Sequence, residues 1–144
     1  MNFGFLKKLL PSRSWRHPPS SAKARAGRSG ERHAVRHLRR CGCRILARNY
    51  ECAAGEIDLI ASDADTIVFV EVKSRSDSPA VDQPQFSVRL GQQDRIGRAA
   101  RHFLRQTGAE NRPCRFDIVT VTWLKGAAAE VEHFKDAFHP RGTH

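Results

Sequence analysis

Two carboxylates and a lysine, Asp58, Glu71 and Lys73, stand at the edges of two short apolar runs within residues 55–75, which read GEIDLIASDADTIVFVEVKSR. Hard oxygen ligands of this kind suit Mg²⁺, with Mn²⁺ as a substitute. A magnesium ion polarises a phosphate oxygen and acidifies a bound water. A lysine on the same side as Glu71 can orient that water or offset charge developing on phosphorus. The chemistry this predicts is metal-dependent cleavage of a phosphodiester. Glu56, two residues from Asp58, shares its face as a peripheral ligand or proton-transfer partner. The residues leave one metal or two equally open.

A plain reading stands beside this one. A strand that ends in Glu-Val-Lys has simply reached the edge of its domain, and both charges meet water. Asp58, thirteen residues before Glu71, makes the pattern informative. Residues 56–61 and 66–73 have strand character and are joined by the polar turn 62–65, a connection short enough to demand antiparallel pairing. A tight hairpin then brings Asp58 beside the end of the second strand. In that strand Val68, Val70 and Val72 share one face, and Ile67, Phe69, Glu71 and Lys73 the other. Apolar residues on both faces predict a central strand covered on both sides.

The remaining elements position this hairpin. A helix is expected from residue 29 or 30 to 41, with Ala34, Val35, Leu38 and Cys41 facing the core and Gly42 ending it in a left-handed conformation. Glu31 falls in its first turn. There it either gains from the helix dipole or is aimed into a catalytic cleft. His33 and His37 lie four apart on this helix, but no HExxH pattern is completed, and Arg36, Arg39 and Arg40 beside them point to a solvated or phosphate-facing surface. Residues 44–50 form the first strand. Residues 92–106 form a second helix with the core stripe Ile96, Ala99, Ala100, Phe103 and Leu104, and Gly108 marks its end. A strand follows over 115–122, in which Asp117 pairs with a nearby arginine, and an edge strand over 130–134. The order of helix, three strands, helix and one or two strands predicts an α/β domain with a mixed central sheet flanked by helices.

Residues 1–26 hold six Lys and Arg and no acidic residue, broken by Pro11, Pro18 and Pro19; they are expected to be a flexible basic arm before a domain over 27–138, with 139–144 as a tail. Residues 76–91, with Pro79 and Pro84, form a polar connection placed either to touch substrate or merely to link. The whole chain of 144 residues carries 25 Lys and Arg against 15 Asp and Glu, a formal charge of +10. A field of that sign attracts polyanions, nucleic acid first and anionic membrane second. Arg75, Arg89, Arg95 and Arg98 are the expected nucleic-acid contacts. Cys41, Cys43, Cys52 and Cys114 match no standard zinc spacing and are expected to be reduced, mostly buried thiols. No apolar stretch approaches the roughly 20 residues of a spanning helix, and no secretory signal is evident, so a cytoplasmic protein is expected.

GRSGE at 27–31, Asn49 with GEIDLIA at 55–61, VFVEVKSR at 68–75 and RFD at 115–117 together resemble the small bacterial YraN-like family over roughly residues 25–138. That family is described as predicted endonucleases distantly similar to archaeal Holliday junction resolvases, with a restriction-endonuclease-like fold. The resemblance implies catalytic roles for Asp58, Glu71 and Lys73, with Glu31 as a fourth acidic member. It also implies a metal contact from the carbonyl of Val72, DNA as substrate, branched or otherwise structured, and a homodimer by analogy with paired cutting. The chain departs from the family at two places. SDSPAVDQPQF follows Lys73-x-Arg75 where the family carries a glycine-containing segment, and Gln92-Gln93 stands where the family has Lys-Gln, so that the resemblance implies a nucleic-acid contact from Gln92. The competing expectation is a nucleic-acid-binding or assembly protein that keeps this scaffold without catalysis. A third is a basic adaptor at a membrane, held by the N-terminal arm.

Overall fold

The computed structural model describes residues 22–76 and 88–142. The expected basic arm up to residue 21, most of the polar connection with Pro79 and Pro84, and the last two residues lie outside them. The elements are α1 (Ala22–Arg40), β1 (Arg44–Cys52), β2 (Gly55–Asp63), β3 (Thr66–Ser76), α2 (Leu90–Thr107), β4 (Cys114–Trp123) and β5 (Glu130–Phe138).

The five strands form one sheet in sequential order, β1-β2-β3-β4-β5. β1, β2 and β3 are joined by tight turns and pair antiparallel, while β3 and β4 pair parallel. Parallel neighbours need a crossover, and α2 supplies it. β5 returns antiparallel to β4. The result is the mixed sheet flanked by helices of a restriction-endonuclease-like α/β fold, with β3 at its centre.

β3 is covered on both faces, as its unbroken apolar run predicts. On one side Val68 and Val70 pack with Ala34, Val35 and Leu38 of α1 and with Val119 and Val121 of β4. On the other, Ile67 and Phe69 pack with Ile96, Ala99 and Phe103 of α2 and with Phe116 and Ile118. Phe69 stacks on Phe116 and meets Phe103 edge-on, so the aromatic core locks the crossover helix to the two parallel strands. α2 ends at Gly108, whose φ of 64° lets its N–H reach back to the last turn, and α1 gives way to Gly42 at φ 86°.

Four expectations need correction. α1 begins at Ala22 rather than at residue 29 or 30. Cys41 follows the helix and is exposed, and of the cysteines only Cys43 is buried. β5 runs through Phe138 rather than ending at residue 134. His33 and His37 are half-buried rather than turned to solvent or phosphate. The His33 ring stands edge-on to Trp123 at 4.8 Å, and its Nδ1 lies 2.9 Å from the Ser29 carbonyl oxygen.

Asp117 has the structural pairing expected of it. It is fully buried in β4, where the β4–β5 register shifts between Phe116 and Ile118. Its carboxylate takes the Asp136 N–H at 2.9 Å, Arg115 Nε at 3.0 Å and His133 Nε2 at 2.8 Å. Burial alone would raise its pKa, but bonds from His133, Arg115 and the Asp136 N–H prevail and hold it below the ordinary carboxylate value. The stability gained is present above the ordinary value of 3.8 and is lost as pH falls through the lowered one. Asp117→Ala strands Arg115 Nε and the Asp136 N–H together, although Arg115 keeps its pair with Asp63 at 2.9 Å; urea unfolding at neutral pH is expected to show a loss of about 3 kcal/mol.

Candidate active site

The site forms where the β2–β3 ladder stops. Pairing proceeds from Asp63↔Thr66 to Leu59↔Val70 and goes no further. β3 runs on beyond this point, held by β4 as far as Ser76↔Trp123. A notch therefore opens between β2 and the free side of β3. Asp58 and Glu71, one step past the last pair, face each other across it. Val72 has lost its strand partner on this side, and its N–H donates instead to Asp58 Oδ2 at 2.8 Å. The carboxylate thus replaces the missing ladder acceptor and is fixed in place by doing so.

Because the ladder is open here, groups from both helical layers reach the same point. From α2, Gln92 Nε2 donates to Glu71 Oε1 at 2.8 Å. Lys73, two residues along β3, holds its Nζ 3.5 Å from the same oxygen, and the Glu71 side chain is only 12% exposed. From α1 comes Glu31, whose Oε2 accepts from Asn49 Nδ2 at 3.0 Å. The close approach of α1 depends on Gly30. A Cβ there would sit 3.2 Å from Ser74 Cβ and Oγ, and that Oγ is itself held by Trp123 Nε1 at 2.7 Å. Asn49 adopts a left-handed φ of 50°, a region asparagine enters more readily than most residues.

The electrostatics are those of crowded carboxylates. Burial drives the Asp58 carboxyl well above the ordinary carboxylate range, and the negative charges of Glu71 and Glu31 push the same way. The Val72 N–H opposes them without prevailing. Asp58 thus resists ionising, and an added cation would reverse that.

The notch opens into a cavity of about 660 Å³ whose lining includes Asp58, Glu71, Glu56, Gln92, Arg89 and Arg95. Its lining joins carboxylates with two arginines, a set of groups that suits a metal and a phosphate together. Arg98 is exposed on α2, and Arg75 lies half-buried near the end of β3; neither lines the cavity. Glu56 is exposed at its rim. The Val72 side chain packs against the α1 core layer while its N–H serves Asp58.

Sequence reasoning brought Glu31, Asp58, Glu71 and Lys73 to one neighbourhood, and the fold places them there. It missed two positioning contacts. Gln92 was expected on nucleic acid but is bonded to Glu71. Asn49 appeared only as part of a motif, and its bond to Glu31 spans a separation no periodicity reveals. Among the described residues, the group of metal-ligating atoms drawn within 4.8 Å of one another is not this one; it is His37, Cys41 and His133, toward the other end of α1. None of the described helices is long and apolar enough to cross a membrane.

Comparison with known proteins agrees with the motifs. Residues 30–121 match the model of the uncharacterised protein family UPF0102, a span that contains the whole acidic notch. The chain is 38% identical over 120 residues to a UPF0102 protein of Pelotomaculum thermopropionicum, covering 83% of this chain and 99% of that one. It is 45% identical over 114 residues to one from Syntrophus aciditrophicus, covering 79% and 88%. A UPF0102 protein of Nitrosococcus oceani is 42% identical over 113 residues, covering 78% and 90%. With β1 to β3, α2, most of α1 and β4 and the acidic notch inside the matched region, the chain belongs to family UPF0102.

Proposed function

We propose that this protein is a magnesium-dependent endonuclease that hydrolyses phosphodiester bonds in DNA, with branched or otherwise structured DNA as its substrate. The observation that carries the reading is the gathering of Asp58, Glu71 and Glu31 at the notch. Asp58, buried beside Glu71 and Glu31, is costly to ionise with protein groups alone, and a divalent cation held by carboxylate oxygens removes that cost. The donor set fits Mg²⁺ or Mn²⁺, since hard oxygens predominate and no thiol or imidazole takes part. Asp58 and Glu71 would hold the ion, with the carbonyl of Val72 as a third contact. Bound there, the metal supplies Lewis-acid polarisation of the phosphate and a water of lowered pKa.

The chain's own groups divide the rest of the work. Lys73, paired with Glu71, presents its ammonium to the attacking water or to the charge gathering on the phosphoryl oxygens. Glu31, held by Asn49, is the further carboxylate able to accept a proton from water. Arg89 and Arg95 take the flanking phosphates, with Arg75 and Arg98 extending the basic track. Gln92 fixes the rotamer of Glu71 without adding charge. A homodimer would present two such notches to a substrate that needs two cuts.

The raised pKa of Asp58 can be tested without turnover. The folded pKa of Asp58 lies above its unfolded value. Its contribution is therefore fully present below the ordinary value of 3.8 and is lost as pH rises through the folded one. Metal-free protein is expected to lose stability over that rise, and Asp58→Asn, which keeps an acceptor for the Val72 N–H, to flatten the dependence and melt higher at pH 8. Mg²⁺ is expected to raise the thermal midpoint of the native chain but not of Asp58→Asn or Glu71→Gln. Equal shifts in all three would place the ion elsewhere.

The activity is tested on linear, flapped and four-way DNA in Mg²⁺ or Mn²⁺. Asp58→Ala, Glu71→Ala and Lys73→Ala are each expected to lower cleavage by about 10²–10³-fold while DNA binding in the absence of metal persists. Arg89→Ala and Arg95→Ala are expected to weaken binding and reduce its salt slope by about 1 each. Cleavage unchanged in the three acidic-site variants would refute this site. DNA binding by a native chain that cuts none of these substrates would favour the non-catalytic scaffold.

A further inference from the structure

A second cluster of metal-ligating side chains lies away from the notch, where the end of α1 meets the edge strand β5. Its members come from distant parts of the sequence. His37 sits in the last turn of α1, Cys41 just after it, and His133 on β5. His37 Nε2 lies 3.3 Å from His133 Nδ1 and 3.5 Å from Cys41 Sγ, and the three atoms all fall within 4.8 Å of one another. Tetrahedral zinc, with Zn–N of about 2.0–2.1 Å and Zn–S of about 2.3 Å, sets neighbouring nitrogens about 3.3 Å apart and nitrogen from sulfur about 3.5 Å. Two of the three spacings are those of ligands around a metal of this size, and the third, between Cys41 Sγ and His133 Nδ1, closes from within 4.8 Å when the exposed Cys41 side chain swings inward.

The surroundings provide what such a site requires beyond its ligands. His133 is nearly buried at 6% side-chain exposure, and its other nitrogen, Nε2, lies 2.8 Å from Asp117 Oδ2. The carboxylate fixes the tautomer that protonates Nε2 and leaves the Nδ1 lone pair facing His37 and Cys41. A carboxylate behind a ligating histidine is the usual outer support of zinc sites, and Asp117 is locked in turn by Arg115 and the Asp136 N–H. Arg40 and Lys135 stand close enough to His37 to act on its charge. Those same basic neighbours oppose a cation held by neutral donors alone, which makes the thiolate of Cys41 the necessary compensating charge. Cys41 is exposed, so the ion can enter from solvent and keep one coordination position open to it.

We propose that His37, Cys41 and His133 form a binding site for a borderline-soft divalent cation of the Zn²⁺ class, pinning the end of α1 to β5. On binding, the Cys41 thiol releases its proton to solvent and each imidazole ligates through an unprotonated nitrogen. The nitrogen and sulfur donors discriminate against Mg²⁺, so this site and the acidic notch would hold different ions.

Co²⁺ is the probe, titrated into the reduced, metal-free full chain and then displaced with Zn²⁺. The expected result is one equivalent of Co²⁺ that gives a thiolate-to-cobalt charge-transfer band and visible bands of tetrahedral intensity, both lost when Zn²⁺ is added. Cys41→Ser is an exposed and conservative change; it is expected to abolish the charge-transfer band and weaken Zn²⁺ binding at least ~10-fold. His37→Asn, with folding checked by circular dichroism, is expected to weaken binding similarly. Cys114→Ser and Asp58→Asn are expected to leave the spectrum intact, which separates this site from the other thiols and from the notch. Absence of a thiolate band in the native chain, or its persistence in Cys41→Ser, would overturn the proposal.

Discussion

The hydrogen bond from the Val72 N–H to Asp58 Oδ2 is the interaction on which the site depends. A strand cannot leave its neighbour inside a packed domain without stranding backbone donors, and each buried orphan costs about 1–3 kcal/mol. β2 and β3 part after Leu59↔Val70, although β3 continues for six residues beside β4. The aspartate makes that parting affordable by accepting the first orphaned N–H itself. A carboxylate there is therefore structural before it is chemical, and its position is set by the ladder rather than by a free rotamer.

The parting also explains how residues from opposite faces of a sheet meet. A continuous sheet separates its two helical layers by its own thickness. At the notch that barrier ends, so Glu31 from α1 and Gln92 from α2 both approach the carboxylates of β2 and β3. The geometry needs α1 close to β3, which Gly30 permits against Ser74, and α2 close to β2. At the latter contact a Cβ on Gly55 would sit 3.1 Å from the Arg95 carbonyl oxygen. Neither glycine carries chemistry, yet both decide whether groups that do carry it come together.

Much of this was legible in the sequence because it rests on local pattern. Unbroken apolar runs marked β3 as central, and the short turn at 62–65 compelled the pairing that sets Asp58 against Glu71. Signals failed where the decisive partner lies far along the chain. The interleaved arginines of α1 made His33 look exposed, but Trp123 covers it. Gln92 resembled a substrate contact because nothing nearby in sequence shows that Glu71 lies within its reach. The early start of α1 was missed because residues 22–28 read AKARAGR and carry no apolar stripe. Ala, Lys and Arg favour helix intrinsically, but a reading based on periodicity does not register them. Cys41 was placed by extending the helix's periodicity one residue beyond its last turn.

Asp58 and Asp117 make a natural control for each other. Each lies where a ladder is interrupted, and each accepts a backbone N–H that lost its strand partner, Val72 in one case and Asp136 in the other. Their electrostatic surroundings are opposite. Around Asp117 the fold gathers Arg115 and a nearly buried histidine, and the carboxyl is held below its ordinary range. Around Asp58 it gathers Glu71 and Glu31, and the carboxyl is driven above it. Stability alone would favour the first arrangement in both places, since compensating charge is what makes a buried carboxylate tolerable. A fold that pairs one such carboxylate with arginine and sets the other among glutamates, with Lys73 paired to Glu71, leaves at the second a charge cost that a bound cation would offset. The acidic notch, rather than the better-satisfied Asp117, is where an added cation has most to gain.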